Sequence, residues 1–252
     1  MARDFNGTDG YIDLGTKNYT GNTAISFSVI LTVDAFQASS PNIRQIFGIE
    51  DGSGTSQILF WRFGNAGAIA DGQLQWVANG VSTNLVSTTT FVTATEYAFV
   101  LTYDGANIRL WVNGTLDKTQ AATGNIGNAN KGFQIGRMTE GLNSGRLFDG
   151  KMSEVAVWTR ALTTGEAEAI SGKRFSPLFF PGNLTEYVPI IGRASPEPNL
   201  KGGTGTVTGT MANLAHPRII YPSSPQMRRF TTAAVPEAAA QISFRSLTGV
   251  GL

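Results

Sequence analysis

The stretch "LTYDGANIRLWVNGTLDKTQ", residues 101–120, decides the fold. Apolar residues alternate up to Asp104-Gly105, alternate again through "NIRLWV", and meet Asn113-Gly114. A period of two marks a half-buried strand. Asn-Gly supplies the positive φ angles of a type I′ hairpin turn. With "YAFVLTY" (97–103) in front, residues 97–120 read as a meander of three antiparallel strands.

The pattern spreads outward. "AISFSVILTV" (24–33) places Ile25, Phe27, Val29, Leu31 and Val33 on one face and Ser26, Ser28 and Thr32 on the other, which predicts a strand with one wet face. "QILFWRF" (57–63) and "YAFVLTY" are apolar on both faces, as central strands of stacked sheets can be. Asn79-Gly80 repeats the type I′ signal, and Pro41 in "SSPN" marks a turn. One helix is expected, in "LTTGEAEAISG" (162–172). Thr163 is its N-cap, Glu166 completes a capping box, and Gly172 is the C′ stop.

Bulk numbers agree with a β protein. The 252 residues are 41% hydrophobic and 15% charged, with 30 glycines, enough for a substantial core with many turns. The net charge of +1 points to neither nucleic acid nor a membrane surface. Cysteine is absent, which excludes disulfides, zinc-thiolate sites and thiol nucleophiles. "MARDFNGTDG" has no apolar core of a signal peptide, and no apolar run nears the roughly 18 residues of a membrane helix. The expectation is a soluble chain made in the cytosol, with Asn6-Gly7-Thr8 and Asn113-Gly114-Thr115 as chance matches to glycosylation acceptors.

The averages hide a division near Gly172. Nine of the ten prolines follow it. Residues 1–172 hold 11 Lys+Arg against 15 Asp+Glu, and residues 173–252 hold 8 against 3. The reading is an acidic β domain over 1–172 and an extended, proline-rich, basic tail over 173–252. Prolines forbid long central strands. The tail still carries Phe175, Leu178, Phe179, Phe180, Tyr187, Ile190, Ile191, Ile219, Ile220, Tyr221 and Phe230, which disordered segments lack. It must therefore lie against something, its own body or another subunit.

Three segments carry a resemblance. "LTYDGANIRLWVNG" resembles a hairpin of the laminin G-like and concanavalin A-like jelly rolls. "FDGKMSEVAVWTRALTTGEAEAI" (148–170) resembles their closing strand, Arg-Ala-Leu turn and capped helix, and "FNGTDGYIDLG" (5–15) their opening strands. They stand in the expected order. The resemblance implies an all-β, two-sheet antiparallel jelly-roll sandwich with a short helix and the extended C-terminal tail. It implies lectins, glucanases, adhesion modules and viral coat components as functions, and fold does not choose among them.

The residues narrow the choice. A glycosidase needs two carboxylates flanking the bond, and no E-x-D-x-x-E pattern occurs. Glu50-Asp51 is adjacent, so in a strand its side chains would point apart, and Glu166 and Glu168 belong to the helix. A Ser-His-Asp triad could use only His216, in "LAHPRIIYP", which reads as a loop or interface residue. "KGGTGTVTGT" (201–210) lacks the Lys-Ser/Thr of a phosphate loop. Calcium is carried by several relatives, but Asp51, Asp71, Asp104 and Asp149 are scattered among turns, so no cofactor is expected. Trp61, Trp76, Trp111 and Trp158 read as filling between sheets; Trp61 with Arg62 is the best glycan-binding candidate.

The layout, unsecreted and with a "HPRIIYPSSP"-like tail, resembles structural proteins of tailed bacteriophages. It implies a non-enzymatic virion protein, a capsid decoration or surface fibre component at the virion surface. That protein would be homo-oligomeric, with other virion proteins as partners and no nucleic-acid or membrane partner. Attachment would run through the tail with Arg193, Arg218, Tyr221, Arg228, Arg229 and Phe230, and "QISFRSL" (241–247) could add as a strand to a sheet edge. The alternative is a lectin-like adhesin that recognises host surface glycans.

Overall fold

The computed structural model describes residues 2–36, 43–50, 57–64, 69–127, 130–137, 146–192 and 195–222. Among them the chain forms sixteen strands: β1 (Ala2–Asn6), β2 (Tyr11–Asn18), β3 (Ile25–Val33), β4 (Arg44–Glu50), β5 (Gln57–Phe63), β6 (Gln73–Ala78), β7 (Leu85–Thr90), β8 (Glu96–Tyr103), β9 (Asn107–Val112), β10 (Thr115–Ala121), β11 (Asn130–Ile135), β12 (Asp149–Trp158), β13 (Leu184–Val188), β14 (Glu197–Pro198), β15 (Thr204–Thr208) and β16 (Met211–Leu214). One helix, α1 (Thr164–Ser171), and a 3-10 turn at Pro177–Phe179 complete the elements.

The strands build two antiparallel sheets. Sheet A runs β10-β9-β8-β3-β12-β1-β16, with β13 also on β12; sheet B runs β14-β15-β2-β11-β4-β5-β6-β7. This is the two-sheet sandwich expected. The meander is β8-β9-β10, in one sheet as read. At its second turn Asn113 (φ +50) and Gly114 (φ +87) both take the left-handed region that type I′ requires. The Asn113 Oδ1 also accepts from the Ala98 backbone N–H (2.8 Å). Asp104 caps the first turn by accepting from the N–H groups of Ala106 (2.9 Å) and Asn107 (2.7 Å). Asn79-Gly80 differs from expectation. Only Gly80 has positive φ, and the Trp76–Leu85 pairing leaves a longer connection there.

The inner faces meet in a core of rings. Phe47 lies 4.7 Å from Phe27, 5.3 Å from Phe133 and 5.7 Å from Trp61, centroid to centroid, and Trp61 lies 6.0 Å from Phe99. Trp61 and Trp76 fill the space between the sheets as read. Trp111 and Trp158 do not. They sit on the outer face of sheet A, in a second core with Val100, Leu162, Ile170, Leu184 and Tyr187 beneath α1. The Trp158 indole N–H donates to the Phe180 carbonyl (2.8 Å).

That second core corrects the reading of β3. Every residue of β3 is buried, the serines included. Ser26 Oγ donates to the Arg160 carbonyl (2.8 Å) and accepts from the Leu162 N–H (2.9 Å), so the polar face is satisfied by chain folded over it and not by water. Helix α1 begins as read. Thr163 Oγ1 accepts from the Glu166 N–H (3.3 Å) and Glu166 accepts from the Thr163 N–H (2.8 Å). Its end is different, because Gly172 is right-handed (φ −94, ψ −48). A Cβ there would meet the Cα of Gly114 at 2.8 Å. Gly172 serves close packing of the helix end on the β9–β10 turn.

The boundary near Gly172 is the main correction. Beyond it, β13 pairs with β12, β15 with β2 and β16 with β1, so both sheets are completed by chain assigned to the tail. β13, β15 and β16, of four or five residues, fit between the prolines, and the two-residue β14 takes in Pro198 at the edge of sheet B, where a proline is tolerated. The described residues up to Ile220 belong to one compact unit, and Tyr221 and Pro222 fall outside it.

Candidate functional site

Alternation along sheet B sends Ile12, Leu14, Phe47, Trp61, Phe63 and Trp76 to the core and the residues between them to the outer face. Trp61 and Arg62 are therefore on opposite faces. Trp61 is 0% exposed and can touch no glycan. Arg62 is buried on the outer face, where its Nε and Nη2 donate to Gln75 Oε1 (3.1 and 2.9 Å) and its guanidinium sits 4.4 Å from the Phe60 ring centroid. Burial, with Arg146 nearby, pushes this guanidinium down to about 10. The pair does not form one site.

The outer face opens toward β2, β11 and β15, and here the sequence reading missed a group of residues. Asp13 is the cross-strand partner of Gln134 on β11 and of Thr206 on β15; Tyr11 is the partner of Thr208. Cross-strand partners share a face. Just beyond β11, Arg137 lays its guanidinium 4.0 Å from the Tyr11 ring centroid and donates from Nε to Gln134 Oε1 (3.0 Å). Gln134 Nε2 donates in turn to Asp13 Oδ2 (3.3 Å), and Asp13 Oδ1 accepts from the Gly15 N–H (2.8 Å). Tyr11, Asp13, Arg137 and Thr208 are half-buried and Thr206 is exposed. Strand β15 reaches this position because Gly205 faces inward. A Cβ on it would meet Ile12 Cγ2 at 2.4 Å.

The array combines one aromatic ring with a planar donor, a carboxylate acceptor and two hydroxyls, linked by the buried Gln134 amide; all stand on strands except Arg137, which follows β11. Such a surface can pack the C–H face of a polyol and exchange hydrogen bonds with its hydroxyls. Sequence offered half of it, since Tyr11-Ile12-Asp13-Leu14 alternates. Arg137 and Thr206 join only through the topology.

The remaining expected residues are dispersed. Arg218 and Tyr221 are exposed, while Arg193, Arg228, Arg229, Phe230 and the segment 241–247 lie outside the described residues. His216 packs against Glu154, and its ring nitrogens face the Pro217 and Pro189 carbonyls, whereas in a triad one would face a serine hydroxyl. Of the aspartates weighed for calcium, Asp51 lies outside the described residues. Asp104 is paired with Arg109 (2.5 Å) and Asp149 with Arg44 (3.0 Å). Asp4 approaches Asp34 and Asp149, and its carboxyl is raised by burial and by those two charges, with Lys151 opposing. No group of three His, Cys, Asp or Glu that could hold a metal occurs among the described residues.

Among solved structures, a Bacteroides ovatus protein described as a candidate carbohydrate-binding protein matches with a TM-score of 0.64 at 24% identity, over 84% of this chain and 59% of that one. The heptameric SAP-like pentraxin of Limulus polyphemus matches with 0.55 at 16% identity, over 82% of this chain and 93% of that one. Domain 4 of an extracellular arabinanase from Geobacillus stearothermophilus, in complex with arabinotriose, matches with 0.51 at 17% identity, over 68% and 76%. At these identities the likeness is one of fold. No curated protein matches in sequence. The model of the concanavalin A-like lectin/glucanase superfamily matches residues 6–168, about two thirds of the chain, and takes in β2, β11 and the closing strand β12. The chain belongs to the concanavalin A-like lectin/glucanase superfamily.

Proposed function

We propose that the protein is a non-catalytic carbohydrate-binding module whose ligand face is the outer surface of sheet B at β15-β2-β11. The observation that carries this reading is the Tyr11–Arg137–Gln134–Asp13 array, in which each polar group is oriented by its neighbour. Pre-orientation lowers the ordering cost of binding. The reading has no hydrolytic step. Asp13 is the one carboxylate among the described residues of these three strands' outer face, and glycoside hydrolysis needs a pair.

The virion reading enters as a placement of this module. Strands β13 to β16 are spent on the sandwich itself, so in this reading attachment to a particle falls to the chain beyond 222, where Arg228 and Arg229 lie. The chain is then an adhesin with a glycan face on sheet B and an attachment segment at its C-terminus.

The test is calorimetric titration of the full chain with arabinotriose and with a panel of neutral and acidic oligosaccharides. Saturable binding is expected. Tyr11→Ala and Arg137→Ala each weaken it by about tenfold or more, roughly 1.4 kcal/mol, with unchanged melting. Absence of saturable binding across the panel, or binding untouched by both variants, refutes the assignment.

A further inference from the structure

His216 is the single histidine of the chain. Its Nδ1 lies 2.9 Å from the Pro217 carbonyl oxygen and its Nε2 lies 3.0 Å from that of Pro189. A carbonyl oxygen only accepts. Both ring nitrogens must therefore carry protons for both bonds to form, and such a ring is the imidazolium cation. Its counter-charge is Glu154, whose Oε1 lies 3.2 Å from Nε2. The other carboxylate oxygen accepts from the Tyr187 hydroxyl (2.7 Å), which accepts from Ser176 Oγ (3.2 Å). Glu154 itself has φ +57 and stands where β12 shifts register against β3, between Ser153 and Ala156. A residue held in that region costs of order 1 kcal/mol or more and persists only where its surroundings fix it.

The histidine belongs to a segment that crosses the outer face of sheet A. After β16 leaves β1, Ala215 and Pro217 line a small cavity together with Ile30 and Thr32, and Ile219 lines another with Ala98 and Phe175. The segment is pinned at its far end, where the Ile220 N–H donates to the Arg174 carbonyl (2.9 Å) and the Ser176 N–H donates to the Ile220 carbonyl (2.8 Å).

We propose that residues 215–220 form a pH-operated strap, docked on sheet A while His216 is an imidazolium and released when it loses its proton. The charged groups around it are few. On β12, Glu154 is in contact and Lys151 lines the cavity beneath Ala215 and Pro217; Glu96 of β8 lines the same cavity and is paired with Arg174 (3.2 Å). On β13 the titratable groups are Tyr187 and Glu186, the latter paired with Lys17 (3.0 Å); Arg3 of β1 is paired with Glu197 (2.5 Å), and Arg218 on the strap is exposed. Burial pulls the imidazole down, but the hydrogen bond to Glu154 and those to the Pro217 and Pro189 carbonyls outweigh it and hold the ring above its ordinary value of 6.5.

The direction follows. A raised value in the docked state means that docking is fully supported below about pH 6.5 and loses this support as pH rises through the docked value. Each unit between docked and free values changes the docking equilibrium about tenfold. Release would uncover the apolar strip at Ile30, Ala98 and Phe175 and free the chain leading into residue 221.

With one histidine, the ring nitrogens give one pair of signals in a nitrogen-15 NMR titration of the full chain. At about pH 5.5 both nitrogens should read as protonated. The ring midpoint should lie above 6.5. The amides of Ser176 and Ile220 should shift with the same midpoint. Glu154→Gln should move ring and amide midpoints down together. An unprotonated ring nitrogen at about pH 5.5, or a ring that titrates while the Ser176 and Ile220 amides stay fixed, overturns the proposal. Should the Glu154 variant fail to fold, the titration of the unaltered chain decides alone.

Discussion

Ending the chain at Gly172 should destroy the fold, and ending it at Pro222 should not. The first truncation deletes β13, β14, β15 and β16. The deleted residues include buried Leu184, Tyr187, Val188 and Ile190. Their own burial is worth about 1.5–3 kcal/mol per side chain, and ordering them costs roughly 1–2 kcal/mol per residue, so these contributions largely cancel. What decides is the surface they cover. Trp111 and Trp158 lose the Leu184 and Tyr187 side of the second core, and Trp158 loses its Phe180 acceptor. An indole buries about 150–250 Å². Uncovering half of each at about 25 cal/mol per Å² costs about 5 kcal/mol. New open edges on β1, β2 and β12 add to that. A domain has about 5–15 kcal/mol in total, so the 1–172 fragment should give no cooperative urea transition and should bind a hydrophobic dye. The 1–222 fragment should melt within a few degrees of the full chain. A 1–172 fragment that unfolds cooperatively with a native near-ultraviolet circular dichroism spectrum refutes the reasoning, and so does collapse of 1–222.

Two substitutions test the packing more locally. Gly172→Ala places a methyl 2.8 Å from the Gly114 Cα and 2.9 Å from the Glu168 carbonyl oxygen; chemical denaturation should show a loss of about 1–3 kcal/mol, and an unchanged midpoint would mean that the turn and helix end do not meet. Trp61→Ala should cost about 3–5 kcal/mol and leave oligosaccharide affinity of the folded fraction unchanged. A stable Trp61 variant that no longer binds would return that residue to the ligand face.

What could be read in the sequence was local. The β8-β9-β10 meander follows from turn residues at fixed offsets, and the Asn113-Gly114 turn has the φ values those residues favour. The capping box of α1 is likewise closed within three residues. What could not be read depended on partners far along the chain. Ser26 looked solvent-facing because its acceptor is the carbonyl of Arg160. Gly172 looked like a left-handed stop, but its neighbour across space is Gly114. The prolines after residue 172 suggested a strandless ribbon, yet β13 has five residues and fits between Pro181 and Pro189. Half of the candidate site was hidden for the same reason, since Tyr11 and Asp13 meet Arg137 and Thr206 only after β11 and β15 have flanked β2.

The two outer faces of the sandwich are used differently, and the proposed glycan face is the one left open. On sheet A, α1, the segment 173–180 and residues 215–220 lie over β3, β8 and β12, and the polar groups beneath are engaged internally. Ser26 serves Arg160 and Leu162, Glu154 serves Tyr187 and His216, and Ser176 serves Tyr187. A face closed by its own chain offers a ligand nothing until that chain moves. On sheet B at β15-β2-β11, the covering ends. Tyr11, Asp13, Arg137 and Thr208 are half-buried and Thr206 is exposed, while their inward neighbours Ile12 and Leu14 are buried. Polar groups that orient one another and still face outward are the feature a binding face needs and a merely structural face does not. The C-terminal strands close one face of the sandwich and, through β15, widen the other.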